Sequence, residues 1–322
     1  MSSQKRLAVI VVNYRTPSLV FNCLASLEPE IEPGQDVVVV VDNDSKDGSA
    51  KQIEAAIVER AWAPWARVVR SPVNGGFSAG NNIGIGEVAA EAYLLLNSDT
   101  TVRPGAVREL LDALRANPRA GMVSPRLEGP DGTPHVSCFR YVSPLGEVIR
   151  SAGTGPVTRL MGRFDVPVPP ADAPTDFEWT SFACILVRNE VLQEVGLMDE
   201  GYFMYYEDLD FCRRARNAGW GGLHWPRARV VHLHGKSSEF EVLTAARKRR
   251  PRYYYESRAR YFAKFYGRAG LWAANLLWLA GRGIAFVREV AGRKQPHCCE
   301  REWLDIWTNW WRPLRPRDAT GA

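Results

Sequence analysis

The chain has 322 residues, of which 46% are hydrophobic, and its net charge is +5. A chain of this length and composition can bury one large core or two modest ones, so folding does not require disulfides or a structural metal. The six cysteines lack the paired spacing of a zinc site, so we expect reduced thiols.

The N-terminal part alternates predicted strands and helices. Residues 7–12 form a β-branched run, which is typical of a buried strand rather than a signal peptide. Residues 17–27 have helical spacing after Thr16, the expected N-cap, and a second strand (37–41) and helix (49–60) follow. This order predicts a right-handed, doubly wound parallel sheet with its ligand site at the carboxyl ends of the strands.

Further elements continue this pattern along the chain. The predicted strands are 67–70, 93–96, 122–125, 181–188 and 229–233, and the predicted helices are 105–116, 189–195 and 207–218. Between them, residues 128–178 contain many Gly, Pro and Asp residues and little periodicity, which predicts a mobile loop region with short edge strands.

The C-terminal part changes in composition after about residue 239, where it becomes basic and rich in tryptophan. Its apolar stretch, 271–287, is interrupted by Arg282 and is shorter than the roughly 20 residues of a spanning helix. An interfacial helix and a helix packed on the rest of the protein both remain open.

Asp99 is the first candidate for chemistry, because it follows a predicted buried strand at the point where that strand becomes a loop. A hard divalent cation that bridges a diphosphate requires oxygen ligands at this edge of a sheet. The Asn-Ser-Asp-Thr segment is equally compatible with an ordinary turn, so Asp99 alone does not decide the matter.

A set of motifs in fixed order gives Asp99 its context. The motifs are VIVVNY, VDNDSKDGS, NGGFSAGNN, LLLNSDT, FACILVR, YYEDLDFCRRARNAGW and VVHLHGKSS. With these motifs the chain resembles glycosyltransferase family 2, and in particular its bacterial rhamnosyltransferase-like members, over about residues 7–238. The resemblance implies the Rossmann-like GT-A fold, with a mostly parallel central sheet flanked by helices. It also implies a nucleotide-sugar donor, Mg²⁺ or Mn²⁺, and inversion of the anomeric carbon.

The resemblance also implies where the donor and the cation bind. Asp99 and His232 correspond to the metal ligands, and Asn stands at position 97 where the family motif has its first acidic residue. The residues expected to contact the nucleotide sugar are Tyr14, Asp42, Asn43, Phe77, Gly80, Asn81 and Asn97. As an alternative, the NGG segment would be only a hairpin-like turn.

Glu207 and Asp208 open a predicted helix, where acidic residues are ordinary partners of the helix dipole. In the family, the Asp of this pair is the general base that deprotonates the acceptor hydroxyl. Aromatic walls and the neighbouring Glu207 are expected to raise the pKa of Asp208.

The acceptor is expected to contact Trp179, Tyr205, Tyr206 and His234, although aromatic core packing is the alternative for the tyrosines. Phe182 stands where relatives carry a small residue, so it either reshapes the acceptor pocket or fills the core.

The resemblance predicts a catalytic domain over 1–238, divided into a nucleotide-sugar half (1–127) and an acceptor half (128–238). The change in composition predicts a basic, aromatic, mostly helical extension over 239–322. The predicted function is transfer of a sugar, with rhamnose from a thymidine diphosphate as the first expectation, to a saccharide or lipid-diphosphate-linked acceptor in cell-surface polysaccharide synthesis. The alternatives are a sugar nucleotidyltransferase, and a membrane- or nucleic-acid-binding protein with a degenerate enzyme domain.

The predicted location is the cytoplasm, with peripheral contact at the cytoplasmic face of the inner membrane through the extension. Homodimerisation through the extension is a further possibility, and no nucleic-acid partner is expected.

Overall fold

The computed structural model describes residues 4–233, 239–293 and 295–317. Within them the strands are β1 Lys5–Asn13, β2 Asp36–Asp42, β3 Ala66–Arg70, β4 Ala90–Asn97, β5 Thr100–Val102, β6 Ala120–Glu128, β7 Cys138–Phe139, β8 Thr175–Asp176, β9 Trp179–Thr180, β10 Cys184–Arg188 and β11 Gly221–His232. The helices are α1 Pro17–Leu27, α2 Ser49–Glu59, α3 Gly76–Gly86, α4 Ala106–Ala116, α5 Gly146–Ala152, α6 Gly155–Met161, α7 Asn189–Val195, α8 Glu207–Asn217, α9 Glu239–Ala245, α10 Arg252–Val290 and α11 Glu302–Asp305.

The central sheet has the strand order β3-β2-β1-β4-β10-β6-β11-β5, with β8 also paired to β11. Strand β1 runs parallel to both β2 and β4, and Ile10 lies opposite Val39 and Leu95. Helices cover both faces of these strands, which explains why their sequences are continuous apolar runs without alternation. The expected sheet flanked by helices is confirmed.

The second half of the sheet departs from the doubly wound pattern. Strand β10 is antiparallel to both β4 and β6, and β5 and β8 are antiparallel to β11. Strand β11 begins at Gly221, well before the predicted start at residue 229. Its burial alternates along most of its length and its pairing shifts between Trp225 and Arg229, so only its last residues form an obvious apolar run.

Two hydrophobic clusters lie on the two faces of the sheet. Leu7, Val9 and Val11 of β1 pack with α1, α2 and α4, while Ala8 and Ile10 pack with α3, α7 and α8. The period-two alternation of β1 therefore divides its side chains between two buried layers. The six cysteines are all free thiols, as expected.

The region 128–178 is more ordered than the sequence predicted. It contains helices α5 and α6, a short 3₁₀ helix at Gly162–Phe164, and strand β7, which pairs with β9. The prediction of a loop region was wrong for α5. This helix has only seven residues and is largely buried, so its sequence shows little helical periodicity.

The C-terminal extension packs against the rest of the chain. Buried residues of α10, including Tyr261 and Phe262, share a hydrophobic cluster with Tyr202 and Leu209 from the segment around α8. Arg258, which has no exposed surface, donates to Glu147 Oε2 of α5 at 2.8 Å. The alternative of a helix packed on the rest of the protein is therefore confirmed for the buried face of α10.

Helix α10 has 39 residues with a break in helical geometry at Gly267. By length and composition alone it is apolar enough to cross a membrane. In its first half, Arg258 and Phe262 are buried against α5 and the segment around α8, so this face of the helix is covered by protein.

Candidate active site

Polar side chains from neighbouring strands meet at the carboxyl edge of the parallel strands. Asn13 at the end of β1 donates from Nδ2 to Asp42 Oδ1 at 2.7 Å, and the Ser45 hydroxyl donates to the same oxygen at 2.6 Å. The hydroxyls of Thr16 and Ser98 lie 3.3 Å apart. The ends of β1, β2 and β4 therefore form one continuous rim.

Asp99 and His232 lie together at this rim. His232 Nε2 is 3.4 Å from Asp99 Oδ1, and both residues are buried. The pairing of β5 with β11 causes this meeting, since Thr100 lies opposite His232 and the amide of Leu233 donates to Asp99 O at 3.0 Å. Two residues that are far apart in the sequence are thus neighbours in the fold.

Asn97 ends β4 immediately before Asp99. Its backbone amide donates to Ala183 O at 2.9 Å, while its side-chain Oδ1 is buried with no hydrogen-bond partner among the described residues. A buried amide oxygen without a partner is costly unless a ligand satisfies it. Carboxylate, imidazole and amide donors thus lie along this rim, although the described residues contain no group of three His, Cys, Asp or Glu side chains suited to a metal.

The glycine-rich segment connects the rim to the aromatic segment before α8. Asn43 Nδ2 donates to Gly76 O at 3.0 Å, and the amide of Phe77 donates to Phe203 O at 2.7 Å. Gly76 has φ +84°, and a Cβ at this position would be 2.1 Å from Phe203 O. Only glycine permits this contact between the two segments.

Residues 76–86 form helix α3, so the alternative of a hairpin-like turn does not hold. A Cβ on Gly80 would be 2.9 Å from Val12 Cγ1, and one on Gly84 would be 2.4 Å from Ile10 Cγ2. These glycines let α3 approach β1 closely. Asn81 is buried and donates from Nδ2 to Phe77 O at 2.9 Å, which stabilises the first turn of the helix.

Tyr14 follows β1 at the same rim and is exposed. The guanidinium of Arg15 lies 5.0 Å from the centre of the Tyr14 ring. Arg15 is itself anchored, since its Nε donates to Ser45 O at 3.0 Å. An exposed ring beside a fixed cation is available to stack on a planar anionic ligand.

Asp208 and Glu207 begin α8. Burial raises the pKa of Asp208 to about 7, and hydrogen bonds from the backbone amides of Leu209 and Phe182 offset that effect only in part. Burial also raises the pKa of Glu207, and the adjacent Asp208 raises it further. The raised pKa of Asp208 agrees with the expectation from the sequence, with burial as the main cause.

The segment before β10 connects Asp208 to the rim. The backbone amide of Phe182 lies against the Asp208 carboxyl group, and the next residue, Ala183, accepts from the amide of Asn97. The Phe182 ring is buried and packs edge-on against Phe211 at 5.8 Å. Of the two alternatives for this side chain, filling the core therefore holds.

A cavity of about 500 Å³ opens beside Asp208. Trp179, Tyr205 and Tyr206 line it together with Asp208. The Trp179 ring stacks on Phe139 at 4.3 Å, and its Nε1 donates to Arg140 O at 2.8 Å, so the indole is held in place. A mostly apolar cavity with a few polar groups has the character of a small-molecule site.

Tyr205 and Tyr206 have positive φ values of 67° and 70°. Left-handed geometry is uncommon for residues with large side chains and is concentrated at functional sites. Their rings also pack against the extension, at 6.3 Å for Tyr205–Tyr253 and 5.8 Å for Tyr206–Tyr254. These tyrosines both line the cavity and belong to an aromatic cluster.

Three residues contribute to the site although the sequence did not predict them. Tyr254 of α10 and Arg150 of α5 line the cavity, and Asn82 donates from Nδ2 to Met198 O at 2.9 Å, tying α3 to the loop before the aromatic segment. The asparagine pair in NGGFSAGNN was a visible signal for Asn82. No local pattern pointed to Tyr254 or Arg150. His234 lies outside the described residues.

Comparison with known proteins places this geometry in a family. The model of the family described as Glycosyl transferase family 2 matches residues 8–138. The chain is 31% identical over 254 residues to the N-acetylglucosaminyl-diphospho-decaprenol L-rhamnosyltransferase of Mycobacterium tuberculosis, covering 72% of this chain and 77% of that protein. The chain belongs to glycosyl transferase family 2.

Two more distant proteins are also similar to this glycosyltransferase. A low-salt glycan biosynthesis hexosyltransferase of Haloferax volcanii is 29% identical over 216 residues, covering 65% of this chain and 61% of that protein. The mannosyltransferase PcManGT of Pyrobaculum calidifontis, solved with GDP-Man and Mn²⁺, superposes with a TM-score of 0.56 and 16% identity, covering 97% of this chain and 86% of that one. The fold is GT-A, and the family favours neither a sugar nucleotidyltransferase nor a degenerate binding protein.

Proposed function

We propose that this glycosyltransferase inverts the anomeric carbon as it transfers a sugar from a nucleotide-diphosphate sugar to an acceptor hydroxyl. The observation that carries the proposal is the position of Asp208: it lines a cavity, burial raises its pKa to about 7, and the Phe182–Ala183 segment connects it to Asn97 at the rim of the sheet. A base with a pKa near neutrality is ionised often enough to accept a proton and basic enough to hold it.

In this proposal the Asp208 carboxylate accepts the proton of the acceptor hydroxyl while the oxygen attacks the anomeric carbon. Glu207 is buried next to Asp208, and the repulsion between two adjacent carboxylates favours a proton on one of them. A single displacement of this kind leaves the new bond on the opposite face of the sugar ring, which is inversion.

The donor would lie along the rim formed by β1, β2 and β4. The exposed Tyr14 is suited to stack on the base. Asp42 and Asn43, at the end of β2, are the proposed contacts with the ribose. Phe77, Gly80, Asn81 and Asn97 complete the proposed donor site, in which Gly80 and Asn81 act by shaping α3 against β1. The unpartnered Oδ1 of Asn97 is the clearest polar group available to a ligand.

A divalent cation, Mg²⁺ or Mn²⁺, fits the Asp99–His232 pair. A carboxylate oxygen and an imidazole nitrogen 3.4 Å apart form a donor set that suits Mn²⁺, and with two protein ligands the diphosphate and water would complete the coordination. When bound, such an ion neutralises charge on the leaving diphosphate. Asp99 and His232 hold and orient that charge at the rim.

The acceptor would occupy the cavity beside Asp208. Trp179, Tyr205 and Tyr206 present ring faces and edges suited to a sugar, and His234 remains an expected contact from the sequence. The relative from M. tuberculosis is named for a rhamnose transfer to a diphospho-decaprenol acceptor. We therefore propose a saccharide or lipid-diphosphate-linked saccharide as acceptor, rhamnose as the first sugar to test, and a role in polysaccharide synthesis at the cytoplasmic face of the membrane.

The test compares the wild-type chain with Asp208→Asn. Each is assayed for donor hydrolysis and transfer with a panel of nucleotide sugars and Mn²⁺, and nucleotide affinity is measured by calorimetry. Removing a general base should lower turnover by about 10²–10⁴-fold, while nucleotide affinity stays unchanged because the donor rim is untouched.

Asp165→Asn is the matched control, because Asp165 is another carboxylate that lines the same cavity. It should keep turnover within a few-fold of wild type. Near-normal turnover of Asp208→Asn, or an equal loss in Asp165→Asn, would contradict the assignment of Asp208.

A further inference from the structure

The second half of α10 exposes an apolar stripe. Phe286, Val287 and Val290 are 58%, 67% and 73% exposed, and Trp272 and Leu276 are exposed nearer Gly267. At 3.6 residues per turn these five side chains fall within an arc of about 100° and extend for about 27 Å along the helix. An exposed apolar surface of this extent usually marks a site that binds a partner.

The opposite face of the same helix packs against the rest of the protein. Leu271, Trp278 and Ala285 are buried, and a Cβ on Gly281 would be 2.2 Å from the Ser151 hydroxyl of α5. Close packing through Gly281 prevents rotation of the helix about its own axis. The stripe therefore faces outward in the folded protein.

Tryptophans of the C-terminal segment extend the stripe. The Trp272 ring contacts Trp307 at 5.0 Å and Trp310 at 5.4 Å, and Trp310 contacts Trp311 at 5.4 Å. Trp311 is 62% exposed, and the guanidinium of Arg268 lies 5.9 Å from its ring centre. Tryptophan and arginine side chains of this kind are favoured where hydrocarbon meets charged headgroups.

The charge around the stripe is positive. Exposed basic side chains of the extension that form no ion pair with a described residue include those of Arg268, Arg293, Arg301, Arg312 and Arg315. Nearby carboxylates are neutralised within the fold, since Glu289 pairs with Arg282 at 2.7 Å and Asp305 pairs with Arg249 at 2.7 Å. The surface is thus complementary to anionic groups.

The geometry points to an anionic phospholipid surface as the partner of this face, which we name the lipid-facing stripe: Trp272, Leu276, Phe286, Val287, Val290 and Trp311. The second half of α10 would lie flat in the headgroup region, because its other face is occupied by protein. The first half of the same helix supplies Tyr254 to the cavity beside Asp208, so docking of the second half would fix the orientation of the cavity relative to the bilayer. The inference rests on the proposed function, because a lipid-linked acceptor would reach the cavity from the membrane surface.

The experiment measures sedimentation of the full-length protein with vesicles of phosphatidylcholine alone and of phosphatidylcholine mixed with phosphatidylglycerol. Wild type should bind the anionic vesicles more tightly and lose binding as salt rises. The double variant Phe286→Glu/Val287→Glu should weaken binding by about tenfold or more, because it places charge where apolar groups would enter the interface.

Val58→Glu is the matched control, because Val58 is 74% exposed on α2, away from the stripe. It should bind vesicles like wild type. Both variants should retain wild-type donor hydrolysis in solution, because neither touches the catalytic residues. Loss of vesicle binding with hydrolysis intact would therefore test the stripe alone. The turnover of Asp208→Asn tests the proposed function alone.

Three outcomes would overturn the inference. One is absence of wild-type binding to either vesicle. Another is equal binding by the stripe variant and wild type. The third is a dimeric wild type that the stripe variant converts to a monomer, which would assign the face to a second copy of the chain. Quenching of wild-type tryptophan fluorescence by brominated lipids supplies a readout that needs no variant, and it should increase with anionic lipid content.

Discussion

The two carboxyl groups at the start of α8 differ in their surroundings although they are adjacent in sequence. Glu207 Oε2 is buried without a hydrogen-bond partner among the described residues, whereas Asp208 accepts from the amide of Leu209 at 2.8 Å and lines the cavity. Burial raises the pKa of both, and two adjacent buried carboxyl groups do not readily ionise together. The residue that reaches the cavity is the one suited to act as a base.

The pKa of Asp208 predicts the pH dependence of the reaction. A base must be ionised to accept a proton, so kcat/KM should rise with pH and approach its plateau above a midpoint near pH 7. Below that midpoint it should fall about tenfold per pH unit. The measurement is initial-rate kinetics across the neutral range at saturating Mn²⁺, with nucleotide affinity followed in parallel as the control. A profile that is flat through pH 7 would contradict the role of Asp208.

Asp99 and His232 predict a dependence on metal. His232→Gln should raise the Mn²⁺ concentration needed for half-maximal activity by about tenfold or more, and Asp99→Asn should raise it further because the carboxylate carries the charge. Nucleotide binding with and without Mn²⁺ gives a second measurement that does not depend on turnover.

His135→Gln is the control for this prediction, since His135 lines a different cavity together with Arg126 and Cys138. Its Mn²⁺ requirement should equal that of wild type. If His232→Gln behaves like His135→Gln, then His232 is not a ligand.

At the scale of elements, glycine and charge decide how helices meet their neighbours. Gly80 and Gly84 let α3 lie against β1, and Gly281 lets α10 lie against α5. Between α10 and α5, the buried Arg258 pairs with Glu147. Burial alone would raise the pKa of Glu147, but the guanidiniums of Arg150 and Arg258 lower it to about 2. The contact between these helices therefore depends on a fully ionised buried pair.

Arg258→Met is expected to destabilise the protein by about 3 kcal/mol, since it leaves Glu147 buried with one cationic partner fewer. Arg252→Met is the control on the same helix, because Arg252 is exposed and its pair with Glu256 should contribute about 0.5 kcal/mol or less. Denaturant unfolding gives both values. The double variant Glu147→Gln/Arg258→Met should lose less stability than the sum of the two single variants, and strict additivity would contradict a coupled pair.

At the scale of the molecule, the extension and the segment 1–238 share a hydrophobic cluster. Tyr202 and Leu209 are buried partly by Tyr261 and Phe262, and Tyr206 packs against Tyr254 and Tyr261. The boundary proposed at residue 238 thus separates two segments that bury each other. The boundary at residue 238 marks a change in amino-acid composition, but the two segments pack together in the structure.

Truncation after residue 238 should therefore expose a large apolar surface and leave a chain that aggregates or binds the dye ANS. The full-length protein should unfold in one cooperative thermal transition followed by circular dichroism and by tryptophan fluorescence. A truncated chain that melts cooperatively and hydrolyses donor at the wild-type rate would show that 1–238 folds alone.

Local pattern was enough for most of the catalytic fold. Pro17–Leu27 and Asn189–Val195 are helices with the predicted bounds, and β1 and β2 extend the predicted runs by one or two residues. Continuous apolar runs, helical spacing and the order of motifs are local signals, so they are visible without coordinates. Thr16 illustrates the limit, because it precedes α1 as expected but its side chain makes no cap hydrogen bond and contacts Ser98 instead.

What the sequence determined by itself was the family, the GT-A fold and the identity of the residues at the carboxyl ends of the strands, because each is encoded in short segments. Only the tertiary structure brought Asp99 to His232, placed Tyr254 and Arg150 in the wall of the cavity beside Asp208, and reversed β10 within the sheet. Those features depend on contacts between residues far apart in the chain. Such contacts are set by packing and burial, which local periodicity does not record.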